Sequence, residues 1–131
     1  MKAKVIAYWI TTSLLAIILL SGGAAQATRQ PQTVAGILAL GYPSYFVTII
    51  GLWKVLGGIT LLVPRFPRLK EWAYAGVIFE MTGASASYLF SGGAEWHVLV
   101  PFVLSLLALA SWALRPADRM MGKLLPARSA A

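Results

Sequence analysis

Lys54 and Glu80 carry opposite charges in the middle of two apolar segments, and they are the side chains best placed to do chemistry. A basic loop with two prolines joins the segments, and reflection about Pro67 in that loop puts the lysine opposite the glutamate. A lone charge at a bilayer centre costs at least about 2.5 kcal/mol, so such groups pair and face other helices. The sequence therefore predicts an ion pair between Lys54 and Glu80.

Glycines accompany both charges at helical spacing. Gly51 and Gly58 flank the lysine, and the same reflection places Gly83 and Gly76 around the glutamate. Residues three, four and seven positions apart share one face of a helix. Small residues on such a face let two membrane helices approach closely, so we predict that these glycines pack the two arms of a helical hairpin. Two roles stay open for the charged pair: fixing the register of the hairpin, or forming a proton-sensitive or ligand-binding centre.

The composition indicates a protein that folds in a lipid membrane. Of its 131 residues, 59% are hydrophobic and 11% are charged, whereas soluble domains carry about 25% charged residues. The net charge of +7 does not indicate nucleic-acid binding, because the basic residues lie at the ends of apolar runs and not on one clustered face. With no cysteine and the single histidine His97, we expect no metal site and no bis-histidine haem.

The apolar runs predict an all-α polytopic membrane protein, an antiparallel four-helix transmembrane bundle formed by residues 1–116. The spans are expected at about residues 5–21, 44–63, 71–90 and 96–114, with a short interfacial turn at Val34–Leu40 and a basic cytoplasmic tail at residues 117–131. Residues 22–33 are small and polar, which predicts a loop. Prolines at positions 64 and 67 predict a firm break between the second and third spans.

The first apolar run has two interpretations. A cleavable secretory signal has a charged start, an apolar core and an A-x-A cleavage site. The chain offers these parts in that order, as Lys2 and Lys4, the run itself and Ala25–Gln26–Ala27. Alternatively, the run is a retained span, which we favour because Tyr8 and Trp9 are unlike a leucine-rich signal core.

The basic residues predict the orientation of the spans. Nine lysines and arginines lie in the N-terminus, the second loop and the tail, whereas Arg29 is the one basic residue of the first and third loops. Basic residues are retained on the cytoplasmic side. We therefore predict both termini in the cytoplasm and the protein in a bacterial-type inner membrane.

Several short motifs resemble the DoxX-like family of small four-span membrane proteins. They are Gly41–Tyr42–Pro43, Gly51 with Trp53–Lys54, Leu62–Val63–Pro64–Arg65, LKEWAYAG at residues 69–76, Tyr8–Trp9 with Thr12, and Ser111–Trp112 with Leu114–Arg115–Pro116. The resemblance covers roughly residues 6–116 and implies a retained first span. Some members of the family are linked to quinone-coupled redox complexes, which implies quinone as a ligand and a membrane or redox-complex partner. We expect such a quinone in an apolar cavity, with Lys54, Glu80, Tyr74 or Trp53 as its polar contacts.

Three functions follow as hypotheses. We favour a non-enzymatic accessory subunit or factor of a quinone-linked redox complex. The alternative is a small proton-coupled transporter that uses the Lys54/Glu80 pair, although charge pairing with the lysine opposes protonation of the glutamate. An oxidoreductase in its own right is least favoured, because a chain without redox ligands needs quinone, flavin or a partner to carry electrons.

Overall fold

The computed structural model describes residues 2–116 and Arg119. These residues form five α-helices and no strand: α1 Lys2–Ala27, α2 Pro31–Ala39, α3 Ser44–Leu62, α4 Pro67–Phe90 and α5 Glu95–Ala113. Apart from Arg119, the predicted tail at residues 117–131 lies outside the described residues. The all-α prediction is confirmed over the described part of the chain.

Prolines set several of the helix boundaries. Pro31 and Pro67 occupy the first turns of α2 and α4, where the missing N–H removes no helical hydrogen bond. α3 ends at an extended Val63 because the following Pro64 disfavours the helical conformation of the residue before it. Between the two prolines of this loop, Arg65 and Phe66 adopt positive φ angles of 67° and 55°. The chain thus reverses direction within four residues.

The prediction of a loop at residues 22–33 is wrong for most of this range. α1 continues to Ala27 and α2 begins at Pro31, and the residues predicted as an interfacial turn belong mainly to this second helix. The Ala25–Gln26–Ala27 sequence forms the last turn of α1, and Gln26 is buried. Small residues did not interrupt α1, because Gly23 and Gln26 pack against α3.

The four long helices pack in two extensive pairs. α1 packs along α3 and α4 packs along α5, while smaller interfaces join α1 to α5 and α3 to α4. The apolar core lies where these pairs meet and includes Leu15, Leu19, Leu61, Val77 and Ala108. One end of the structure, here called the basic end, holds the start of α1, the α3–α4 turn, residues 114–116 and Arg119. The other end carries α2.

Large apolar side chains cover the outside of the described helices. Exposed examples include Ile17, Leu52, Phe79, Phe90 and Val103, which is the surface expected of a protein in contact with lipid. Among the described residues, α1, α3 and α5 are long and apolar enough to cross a membrane. α4 is not among these three, and it carries Arg68, Lys70, Glu71 and Glu80.

Gly51 and Gly58 of α3 face α1, not α4. A Cβ on Gly51 would lie 2.5 Å from the backbone nitrogen of Ala27, and one on Gly58 would lie 2.9 Å from Cγ of Leu20. A Cβ on Gly76 or Gly83 would meet no atom within 4 Å. The prediction that these four glycines pack α3 against α4 is therefore wrong. Helical spacing identifies a shared face, but it does not say which neighbour covers that face.

Candidate functional site

The structure brings Lys54 and Glu80 together across the α3–α4 interface. Lys54 Nζ lies 3.0 Å from Glu80 Oε1, and the two side chains are 14% and 19% exposed. The lysine stem is held from behind by α1, where a Cβ on Gly23 would come within 2.8 Å of Lys54 Cβ. An ammonium group has three donors and a carboxylate has about four acceptor positions. The pair therefore keeps capacity for hydrogen bonds to a ligand.

An inner cavity of about 430 Å³ reaches this pair from between the helices. All five helices contribute to its wall, and its side chains are mainly apolar and aromatic. Among them are Leu19, Tyr42, Phe46, Phe79, Tyr88 and Leu104. Small-molecule sites in proteins typically enclose about 300–1,000 Å³ and combine apolar walls with a few polar groups. The inner cavity has both properties.

Gln26 supplies a second polar group to the inner cavity. The residue borders the cavity, and its Oε1 atom is buried without a hydrogen-bond partner among the described residues. A buried amide without a partner costs free energy, so water or a ligand at this position would be stabilising. The sequence pattern did not identify Gln26 as a site residue, because a single glutamine near the end of an apolar run carries no spacing signal.

A second cavity, here called the lateral groove, lies on the other side of the pair between α3 and α4. Its volume is about 220 Å³, and its walls include Trp53, Leu56, Gly57, Leu69, Trp72 and Gly76. Lys54 and Glu80 are the two residues that line both the inner cavity and the lateral groove. The ion pair thus separates the two spaces.

The other predicted ligand groups lie elsewhere. Trp53 is 67% exposed and lines the lateral groove, not the inner cavity. Tyr74 is buried near the basic end, where its hydroxyl lies 2.7 Å from Ser111 Oγ. Six residues of helix correspond to about 600° of rotation, so Tyr74 points about 120° away from Glu80. The structure does not bring Tyr74 to the ion pair.

Tyr74 instead belongs to a buried polar network at the basic end. Its neighbour Ser111 also contacts Thr12, with the two hydroxyl oxygens 2.6 Å apart. The Trp112 indole N–H donates to Glu71 Oε2 at 2.9 Å. This network joins α1, α4 and α5. All of these residues belong to the motifs on which the family resemblance was based, so those motifs hold the helices together at this end.

Cationic side chains complete the basic end. The Glu71 carboxylate accepts from Arg115, a contact that the sequence did not predict. Burial lowers the pKa of the Arg115 guanidinium below its ordinary value. Lys70 Nζ donates to the backbone oxygen of Thr60 at 2.6 Å, and Arg119 donates to that of Leu61 at 3.1 Å. These two cations satisfy carbonyl groups at the C-terminus of α3, where positive charge is favourable.

At the opposite end, polar and aromatic contacts hold α2 and the adjoining loops. Arg29 donates to Thr48 Oγ1 at 3.1 Å, and the Tyr42 and Ser87 hydroxyl oxygens lie 2.7 Å apart. The His97 ring stacks between Tyr88 and Trp96, with ring centroids at 5.1 and 3.8 Å. Within the described residues, no three His, Cys, Asp or Glu side chains converge on a common point.

Comparison with known proteins identifies the family of this chain. Searches of curated proteins and of solved structures give no match. The model of the DoxX-like family matches residues 10–111, which include the ion pair, the inner cavity and most of the polar network. The chain is therefore a member of the DoxX-like family.

Proposed function

We propose that this protein is a non-enzymatic subunit or accessory factor of a quinone-linked redox complex, and that its inner cavity holds the quinone headgroup. In this proposal α4 is a fourth span, the four long helices form an antiparallel transmembrane bundle, and both termini lie in the cytoplasm. The basic end then faces the cytoplasm of a bacterial-type inner membrane, as the distribution of lysine and arginine favours.

The observation that carries the proposal is the inner cavity that ends at Lys54 and Glu80. A quinone headgroup is a flat ring with two acceptor carbonyls. The Lys54 ammonium and the Gln26 amide nitrogen both carry N–H donors for these carbonyls, and both residues line the cavity. The Gln26 Oε1 atom, which has no partner among the described residues, is an acceptor and would accept from water or from a hydroxyl of the reduced quinol. Tyr42 and Phe46 present stacked rings with centroids 4.8 Å apart, and aromatic walls favour offset or edge contacts with another ring. The donor set and the walls fit this class of ligand.

The non-enzymatic part of the proposal comes from the redox chemistry of the side chains. A quinone supplies reversible two-electron chemistry when it is bound. The side chains around the inner cavity bind, orient and exclude water, but none of them is an electron carrier. A partner protein would therefore donate or accept the electrons, which predicts a stable association with another membrane protein.

Quinone binding tests the proposal directly. The purified protein in detergent is titrated with a decyl-substituted benzoquinone, and quenching of tryptophan fluorescence is recorded. We expect saturable binding, and Lys54→Met should raise the Kd at least about tenfold, equivalent to 1.4 kcal/mol, because it removes the main donor. Glu95→Gln, which changes a carboxylate that does not line the cavity, is the control. Non-saturable quenching, or equal Kd values for Lys54→Met and the control, would reject the proposal.

A deletion strain tests the role in the cell. If the protein serves a quinone-linked complex, its loss should lower quinol-dependent oxygen consumption by membranes, and wild-type protein should restore the rate. The Lys54→Met variant should restore it poorly. Unchanged respiration in the deletion strain, together with an absence of quinone binding, would end the quinone hypothesis.

One observation favours the alternative function of proton-coupled transport. Glu80 borders both the inner cavity and the lateral groove, so a single carboxylate is adjacent to two separate spaces. In a transporter this carboxylate would exchange protons when the ion pair separates. Proteoliposomes with a pH gradient would then show solute flux that Glu80→Gln abolishes. Quinone binding without any gradient-driven flux would favour the accessory function.

A further inference from the structure

The arrangement of the two cavities gives information about the class of ligand. The inner cavity and the lateral groove share the ion pair as their common wall. A ligand whose polar head lies beside Lys54 and Glu80 in the inner cavity is therefore one side chain away from the groove. On the far side of the pair, the groove runs between α3 and α4 at the lipid-facing surface.

The groove is built mainly of apolar and small residues. Leu56 and Leu69 line its walls, and Gly57 and Gly76 leave its floor open, since a Cβ on either glycine would meet no atom within 4 Å. Besides the ion pair, its polar groups are the indole N–H groups of Trp53 and Trp72 and the hydroxyl of Thr60, which donates to Leu56 O at 2.7 Å within its own helix. This surface suits a hydrocarbon chain.

Among the four long helices, the α3–α4 interface is one of the two smaller ones and is much less extensive than the α1–α3 interface. α1 and α3 approach so closely that a single added Cβ would clash with backbone atoms. Across α3 and α4, the described polar contacts are the ion pair and the Lys70 donation at the basic end. Separation of the ion pair would connect the inner cavity with the groove without disturbing the close α1–α3 contact.

We propose that the ligand is a long-tailed amphiphile, with its polar head in the inner cavity and its hydrocarbon tail in the lateral groove, passing beside Lys54 and Glu80, which pair again once the head is bound because a lone charge in lipid is costly. The head reaches the site sideways from the lipid, and the ion pair separates to admit it. A small water-soluble metabolite would leave the apolar groove unfilled. This inference rests on the proposed function, since it assumes that the inner cavity holds a head group.

Two probes with one head group test the inference. One is 2,3-dimethoxy-5-methyl-1,4-benzoquinone, which has no tail, and the other carries a decyl chain at the remaining ring position. The two probes are titrated against wild-type protein and against glycine-to-leucine variants in detergent. Gly76→Leu fills the groove, Gly83→Leu fills the inner cavity, and Gly36→Leu is a matched control that lines neither space. None of these three glycines has an atom within 4 Å of its added Cβ.

Gly76→Leu should change the Kd of the two probes unequally. The factor by which the Kd of the decyl probe rises should be at least about ten times the factor for the tail-less probe. Gly83→Leu should weaken both probes together, and Gly36→Leu should change neither. Gly57→Leu, which fills the same groove from α3, must reproduce the selective loss and serves if Gly76→Leu does not fold. If the groove variants leave the Kd of the decyl probe unchanged, the tail does not lie there and this inference is wrong. If the wild-type protein binds neither probe, the proposed function itself fails.

Discussion

The α1–α3 interface allows a quantitative prediction at Gly51. A Cβ added there would lie 2.5 Å from Ala27 N and 2.8 Å from Gln26 Cβ. Ordinary contacts between such atoms are about 3.5–4.0 Å, so α1 and α3 must separate by about 1 Å in the Gly51→Ala variant. Overpacking of this kind costs about 1–3 kcal/mol. The obstacle includes backbone atoms, which cannot move aside as the end of a side chain can.

Gly57→Ala is the matched control for this prediction. Gly57 lies on the same helix, and its added Cβ would meet nothing within 4 Å. Both substitutions gain the same helix propensity, about 1 kcal/mol for glycine to alanine. The difference between the two variants therefore isolates the steric cost. Unfolding in mixed detergent micelles, followed by far-UV circular dichroism, gives the free energy of unfolding for each variant. Gly51→Ala should be less stable than Gly57→Ala by about 1–3 kcal/mol.

Gly58→Ala adds a second test of the same geometry. Its Cβ would lie 2.9 Å from Cγ of Leu20, a side chain that can be shortened. We expect Leu20→Ala to rescue part of the loss in the double variant, a coupling of about 0.5–3 kcal/mol, whereas no side-chain truncation should rescue Gly51→Ala. Equal stability of Gly51→Ala and Gly57→Ala would show that α1 and α3 do not approach as described.

Three further predictions concern the basic end and use the same unfolding assay. Ser111→Ala should lower the free energy of unfolding by about 1–3 kcal/mol, because its two hydroxyl partners remain buried without it. Ser105→Ala should cost less, because among the described residues the Ser105 hydroxyl donates within its own helix, to Phe102 O. Glu71→Gln should cost about 1.5–3 kcal/mol, the usual value of hydrogen bonds to a charged group, because Arg115 loses its anion. Lys70→Met should cost about 1–3 kcal/mol by leaving carbonyl groups of α3 unpaired. Losses below about 0.5 kcal/mol in all three would contradict the polar network.

Much of the fold could be predicted because it depends on local signals. The proline positions predicted the breaks around α3 and α4, and the long apolar runs predicted the four long helices. The sequence also placed Lys54 opposite Glu80, since a short turn fixes the heights of two antiparallel helices relative to each other. These features follow from chain geometry and from the cost of a lone charge in lipid.

The remaining features depend on which helices become neighbours, and spacing does not contain that information. Gly51 was expected to face α4, but α1 covers it. Glu71 contacts Trp112 on α5 and Arg115 just after it, more than forty positions away in the sequence. Tyr74 was assigned to the site because of its residue type. It lies on a different face of α4 from Glu80, and this face contacts the polar network.

Charge reversal at the ion pair, with quinone binding as a readout, tests the central claim most directly. Lys54→Glu, Glu80→Lys and the double swap are compared for folded yield in detergent and for binding of the decyl-substituted benzoquinone. We predict that each single variant loses folded protein and that the swap recovers it, because the swap restores the pairing. Binding by the swap should stay at least about tenfold weaker, since the donor now projects from α4. Normal folding of both single variants would contradict the pairing, and full recovery of binding by the swap would show that the pair is structural only.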